Sequence, residues 1–209
     1  MRNSTYSASF TAGSLLWREF VALLSLLKNP QSQWLLKEEI EKNKCIKINA
    51  ESSRKRVIAE IQKRYVTMGS GFWNFFVNRN EAEQKPLLFY VCLKAYKLLF
   101  DFHFHVTLPL WRSSNLVVDA YLYQMELNEI GGKDDFVYGW SDTTKQKCLS
   151  VYLKMIKDID MLHPETFQLN KIYAANNFFQ YFVSVREPWF LDACFLSEAD
   201  KNQIIASAL

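Results

Sequence analysis

The stretch SSRKRVIAEIQKRYVTM, Ser52–Met68, decides how the chain is read. At 100° per residue its apolar side chains Val57, Ile58, Ile61, Tyr65 and Met68 fall within an arc of about 100°, the signature of a helix with one buried face. Ser52, Arg56, Ala59 and Lys63 fall on the other side. The same period extends in both directions. Upstream, Ser14–Leu27 sets Leu15, Leu16, Phe20, Leu23, Leu24 and Leu27 at helical spacing. Asn29-Pro30 then restarts the chain into a helix over about 30–43, with Trp34, Leu35 and Ile40 inward. Asn43–Asn49 reads as a polar connector whose Cys45, Ile46 and Ile48 lay a short apolar edge. Downstream, Gly69-Ser70-Gly71 ends the basic helix and a short aromatic helix spans Phe72–Val77. A long helix then runs to about Phe100, with Pro86 placed in its first turn. Residues 101–115 read equally as helix or loop, with a break at Pro109. Further helices are expected at Leu116–Ile130, ended by Gly131-Gly132, and at Thr143–Leu162, with Ser141 as N-cap. The last two, Ala174–Val185 and Asp192–Ile205, flank a break at Glu187-Pro188.

Composition agrees with helices. Of 209 residues 49% are apolar, enough for a packed core, while six Gly and five Pro are too few for the many turns of a β-sandwich. The four cysteines, at 45, 92, 148 and 194, form no CxxC pair, so each is expected as a small buried thiol in a reducing cytoplasm. Leu87–Trp111 must be weighed as a membrane span, which needs about 20 uncharged apolar residues. Lys94, Lys97, Asp101, His103 and His105 interrupt it, leaving a core helix of a soluble protein with no membrane contact.

The formal net charge is only +3, but its distribution is uneven. Lys42–Arg64 holds eight Lys and Arg against Glu51 and Glu60, a local +6, so the other 186 residues sum to −3. A helix whose exposed face carries Arg, Lys and Ser fits the major groove of duplex DNA and reaches phosphates from it. Helix, connector and basic helix over about 30–68 are laid out as a helix–turn–helix. A second copy is expected over about 116–160, where Thr143, Lys147, Ser150, Lys154 and Lys157 make the polar face. The expected architecture is therefore all-α and globular with two helix–turn–helix-like units. An N-terminal subdomain (1–80) and a C-terminal one (81–209) would form one compact body. The DNA-facing residues are expected to be Ser52, Arg54, Lys55, Arg56, Lys63 and Arg64, joined by Lys147 and Lys154.

Other chemistries find little support. Asp101-x-His103-x-His105 would share a side only in an extended strand; in a helix the three diverge, and neither a cysteine pair nor HExxH stands nearby. Histidines buried among aromatics are the expected outcome, with no metal and no cofactor. Glycine-rich phosphate loops and nucleophile elbows are missing, and the carboxylate pairs Glu38/Glu39 and Asp134/Asp135 stand in no catalytic pattern. No enzyme activity is expected. The aromatic runs Phe72–Phe76 and Asn177–Phe182 keep helical spacing and are assigned to the core rather than to base stacking.

One further pattern lies at the N-terminus. Tyr6-Ser7-Ala8-Ser9-Phe10-Thr11-Ala12-Gly13-Ser14-Leu15-Leu16, followed by Arg18-Glu19, resembles the opening of the BrxA family, small proteins of bacteriophage exclusion (BREX) defence systems. Looser agreement continues through the basic helix, Trp140…Thr144…Lys147 and Glu187-Pro188-Trp189-Phe190, across essentially the whole chain. The resemblance implies an all-α fold with two helix–turn–helix motifs, DNA binding and a non-enzymatic role in phage defence. It carries no catalytic residues over. The expectation that results is a cytoplasmic, monomeric protein binding double-stranded DNA mainly through phosphates, alongside other BREX proteins. The rivals are an adaptor docking an acidic partner through its basic segment, an RNA-binding protein, and metal-dependent hydrolysis at Asp101, His103 and His105.

Overall fold

A computed structural model describes residues 4–113 and 116–208. Among these residues the regular structure is helical, broken only by the isolated bridges Val117–Gln168 and Leu162–Leu169. Residues 114 and 115, part of the ambiguous stretch 101–115, lie outside the described residues. The chain divides into two compact units, Ala8–Ala95 and Tyr96–Leu209 with Met1–Ser7, so the helix over 81–95 belongs with the N-terminal unit.

The N-terminal unit opens with a 3-10 turn, Ser9–Ala12, followed by α1 (Trp17–Leu27), α2 (Ser32–Lys42), α3 (Glu51–Val66), α4 (Ser70–Val77) and α5 (Glu81–Ala95). α1 starts three residues later than its apolar pattern suggests, because Gly13 is extended and Leu16 is left-handed (φ 55°). The core gathers Phe10, Phe20, Leu23, Val57, Ile58, Ile61 and Phe76, with Leu87–Leu93 of α5 buried on every side. Trp73 ties α4 to the end of α3. Its ring lies between Phe20 (4.9 Å) and Tyr65 (5.0 Å), and its indole N–H donates to the carbonyls of Tyr65 and Met68 at the helix end, where intrahelical donors run out. Pro86 is the sixth residue of α5 rather than a first-turn residue, since the backbone N–H of Glu83 donates to the Asn80 side chain and starts the helix at Glu81. The carbonyl that loses its intrahelical bond to the proline belongs to exposed Ala82, where water can take the place of the N–H. The run to Phe100 is broken at Tyr96, which adopts an extended conformation.

The C-terminal unit begins with α6 (Lys97–Asp101), a π-helical turn (Phe102–Thr107) and α7 (Leu108–Arg112) in unbroken succession. Thus 101–112 is helix, and Pro109, the second residue of α7, follows directly on the π-helical turn without ending the helix. It continues through α8 (Ala120–Gly131), α9 (Asp135–Tyr138), α10 (Asp142–Asp158), α11 (Asn176–Ser184), α12 (Trp189–Ala193) and α13 (Glu198–Ala208). α8 starts only at Ala120 because the Asp119 carboxylate caps it at Tyr121 N, while Val117 pairs with Gln168 instead. Ser141 caps α10 by accepting from Thr144 N, as the sequence leads one to expect. Phe102, Tyr123, Tyr152, Met155, Phe178, Phe182 and Phe190 fill the core. No helix among the described residues is long and apolar enough to cross a membrane.

Candidate nucleic-acid interface

α3 buries Val57, Ile58 and Ile61, and through them meets α1, α2 and α5. Its exposed side shows Ser52, Lys55, Arg56, Ala59 and Lys63. These five span about 16 Å at 1.5 Å per residue, a length suited to one groove contact. Arg56 makes no ion pair or hydrogen bond with other described residues. Lys55 pairs with Glu51 (2.7 Å), and Lys63 donates to the Ser9 hydroxyl (3.0 Å). Both are exposed, so these bonds constrain little.

Two of the expected DNA contacts lie elsewhere. Arg64 is wholly buried: its Nε pairs with buried Glu60 (2.8 Å), Nη1 donates to the carbonyls of Ser14 (2.8 Å) and Leu15 (2.9 Å), and Nη2 donates to that of Gly13 (3.2 Å). The guanidinium thus binds the extended N-terminal strap that leads into α1. Arg54 is 7% exposed, donating from Nε to Ile40 O (2.7 Å) and from Nη1 to Ile48 O and Asn49 O (both 2.8 Å). Neither side chain reaches outward to a phosphate, because each is held by backbone carbonyls inside the unit.

That second clamp shapes the connector. Glu39, also buried, accepts from the backbone N–H groups of Lys44 (3.0 Å), Cys45 (2.9 Å) and Ile46 (3.0 Å). Burial pushes its carboxyl up, but these donors outweigh it and hold the group below the usual carboxylate range, so it is ionised. Asn43 and Lys47 turn the chain with left-handed backbones, and the Asn43 side chain accepts from Ile48 N. Residues 43–50 therefore form a tied loop that presents Lys44 and Lys47 to solvent beside Lys42. Lys42 and Lys44 share Glu38 (2.6 and 3.2 Å), whose carboxyl they hold low. With eight residues the connector is longer than the three or four of a tight helix–turn–helix turn. The buried Glu39, five residues before Lys44, is the signal in the sequence that this loop is held.

Six exposed bases thus remain in the window, Lys42, Lys44, Lys47, Lys55, Arg56 and Lys63. The unit around them, residues 8–95, holds fourteen Lys and Arg against eight Asp and Glu, a net of +6. The other unit holds eleven against fourteen, a net of −3. Within it α10 exposes Lys147 and Lys154, the latter paired with Asp158 (3.1 Å). Lys157 lies over the Phe167 ring (4.0 Å). The connector before α10 contains α9, so this pair of helices is also loosely joined.

Asp101, His103 and His105 diverge. Asp101 is buried between Lys97 (2.6 Å) and the Tyr6 hydroxyl (2.8 Å), and His105 lies against Glu126 (2.8 Å). His103 is enclosed, with Nε2 against Ala193 O (2.9 Å) and Nδ1 against the Tyr152 hydroxyl (3.0 Å). A carbonyl can only accept, so Nε2 carries the proton and Nδ1 accepts from Tyr152. Burial pulls this imidazole down to about 4, leaving it neutral at physiological pH. The paired carboxylates Asp134/Asp135 include a helix cap, Asp134 accepting from Val137 N (3.1 Å).

The family model BrxA matches residues 4–184. A crystal structure of an uncharacterized protein from Magnetospirillum magneticum superposes with a TM-score of 0.71 at 22% identity, covering 91% of this chain and 98% of that one, which shows a shared fold. No curated protein matches the chain.

Proposed function

The chain belongs to the BrxA family, which points to a component of a BREX phage-defence system, and we propose that it serves there by binding double-stranded DNA through α3 and the connector before it. The observation that carries this reading is the concentration of exposed positive charge on one element. Lys55, Arg56 and Lys63 lie on the outward side of α3 with Ser52, and Lys42, Lys44 and Lys47 stand on a loop held by Glu39 and Arg54. A rigid display costs less ordering entropy on binding than a floppy one. Small Ala59 and Ser52 leave room for a close approach of the helix to the duplex. Because the exposed groups are mostly lysines, contacts go chiefly to phosphates and carry little sequence preference. Lys147 and Lys154 supply a subsidiary face, set in a unit whose net charge is −3. The protein works without catalysis in this reading.

The test is a binding titration by fluorescence anisotropy on several duplexes of unrelated sequence. Lys55→Ala/Arg56→Ala/Lys63→Ala should lose affinity for all of them alike, by about ten- to a hundredfold at 50–100 mM salt, while Lys147→Ala/Lys154→Ala loses only a few-fold. A folded triple variant with wild-type affinity would remove α3 from the interface.

A further inference from the structure

In the C-terminal unit an open groove of about 650 Å³ runs between α8 and the π-helical turn with α7. Val106, Pro109, Leu110, Leu122 and Met125 give it an apolar floor, and Met125 and Leu122 remain 50% and 39% exposed. Two carboxylates stand among its described lining residues, Glu129, which is exposed and pairs with Lys133 beyond the groove (2.6 Å), and Glu126, which lies against His105 (2.8 Å), while the described lining itself holds no Lys or Arg. A polar pocket of about 260 Å³ shares His105, Glu126 and Glu129 with the groove and adds Asp101 and Asp134 against Lys97 and Lys133. The unit as a whole is acidic, at −3.

We propose that this groove is the docking site for a basic amphipathic helix of a partner protein. The charge complementarity names the occupant. Duplex DNA and anionic membranes are disfavoured by the carboxylates, whereas a helix with apolar anchors at i, i+3 or i+4, and i+7 can bury Leu122 and Met125 while its Lys or Arg side chains meet Glu126 and Glu129. Methionine and leucine on the floor suit such a ligand, because flexible Met side chains repack around varied anchors. The inference does not depend on DNA binding, which it leaves to the oppositely charged N-terminal unit.

The probe is a fluorescein-labelled 18-residue helical peptide of Leu and Lys with one apolar face, and its control carries Glu in place of Lys. Anisotropy with the full chain should show saturable one-to-one binding of the Lys peptide and none of the Glu peptide. Met125→Asp is the deciding variant, because it adds negative charge while spoiling the floor. Groove docking predicts a loss of about tenfold or more, but diffuse attraction of a cation to an acidic surface predicts a gain. Methyl labelling of methionine provides a second reading on the unmutated protein, where the Met125 signal should shift on peptide addition. DNA affinity of Met125→Asp should stay unchanged. Equal binding of both peptides, tighter binding by Met125→Asp, or a Met125 signal that does not move would each overturn the proposal. So would light scattering that shows a dimer abolished by Met125→Asp, which would make a second copy of the chain the occupant.

Discussion

Replacing Arg64 by alanine separates a structural arginine from a DNA-binding one. The guanidinium is unexposed, pairs with buried Glu60 and donates to three carbonyls of the strap Gly13–Leu15. Removing it takes the ion-pair partner from a buried carboxylate and leaves those carbonyls with fewer donors. Breaking a buried pair from one side costs about 3–5 kcal/mol. For a chain of this length each kcal/mol lowers the melting temperature by about 2–4 °C, so the midpoint should fall by about 6–20 °C. Circular dichroism through a thermal ramp reads this directly. Measured well below the midpoint, the variant should bind duplex DNA within about twofold of wild type, since no phosphate contact has been removed. Arg56→Ala should do the opposite, melting with the wild type, as exposed surface substitutions do to within about 0.5 kcal/mol, and binding more weakly. An Arg64→Ala protein that melts like wild type yet loses DNA affinity as Arg56→Ala does would refute the assignment.

Arg54→Ala should free the connector: hydrogen exchange at the amides of Lys44–Ile48 should accelerate at least about tenfold, and unchanged protection would show that Glu39 alone holds the loop. His103 gives a pH dependence. Its imidazole lies near 4 folded against about 6.5 unfolded, so the unfolded chain binds the extra proton, and stability is complete above about pH 6.5 and falls as pH drops towards 4. The full loss is on the order of 3 kcal/mol, and urea midpoints from pH 7.5 to 4.5 should decline less steeply in His103→Gln; identical slopes would contradict this. Burial raises the thiols of Cys92 to about 11 and Cys148 to about 12 and holds that of Cys194 well above its ordinary range, while Cys45 is exposed. A chromogenic disulfide reagent should therefore titrate one thiol in the native protein and four after unfolding. Several fast-reacting native thiols would show a looser core.

Much of this architecture could be read from periodicity. The stripe Val57, Ile58, Ile61, the cap at Ser141 and the break at Glu187-Pro188 are local patterns, and local patterns survive folding. Arg54 and Arg64 show where that reading stops. Both count as charges in the basic window, yet at 100° per residue Arg54 falls near the middle of the apolar arc and Arg64 about 20° beyond its edge. Their angular position was visible; their partners were not, because the carbonyls that Arg64 binds lie some fifty residues away in sequence. The π-helical turn at Phe102–Thr107 was hidden for a related reason. It depends on contacts such as the Thr107 hydroxyl to Phe102 O and to the Tyr123 hydroxyl, which no periodicity encodes. Of the expected interface, Ser52, Lys55, Arg56 and Lys63 share the exposed side of α3, and charge counting alone could not tell them from the two buried arginines.

The salt dependence of binding reports whether the exposed bases on α3 and its connector engage the phosphates of duplex DNA. Each phosphate neutralised contributes about −0.9 to the slope of log K against log salt, so engaging three to six of the exposed bases predicts a slope between about −3 and −5, shared by unrelated sequences and reduced by about 1 in Arg56→Ala. A slope near zero, or one that Arg56→Ala leaves untouched, would contradict such engagement.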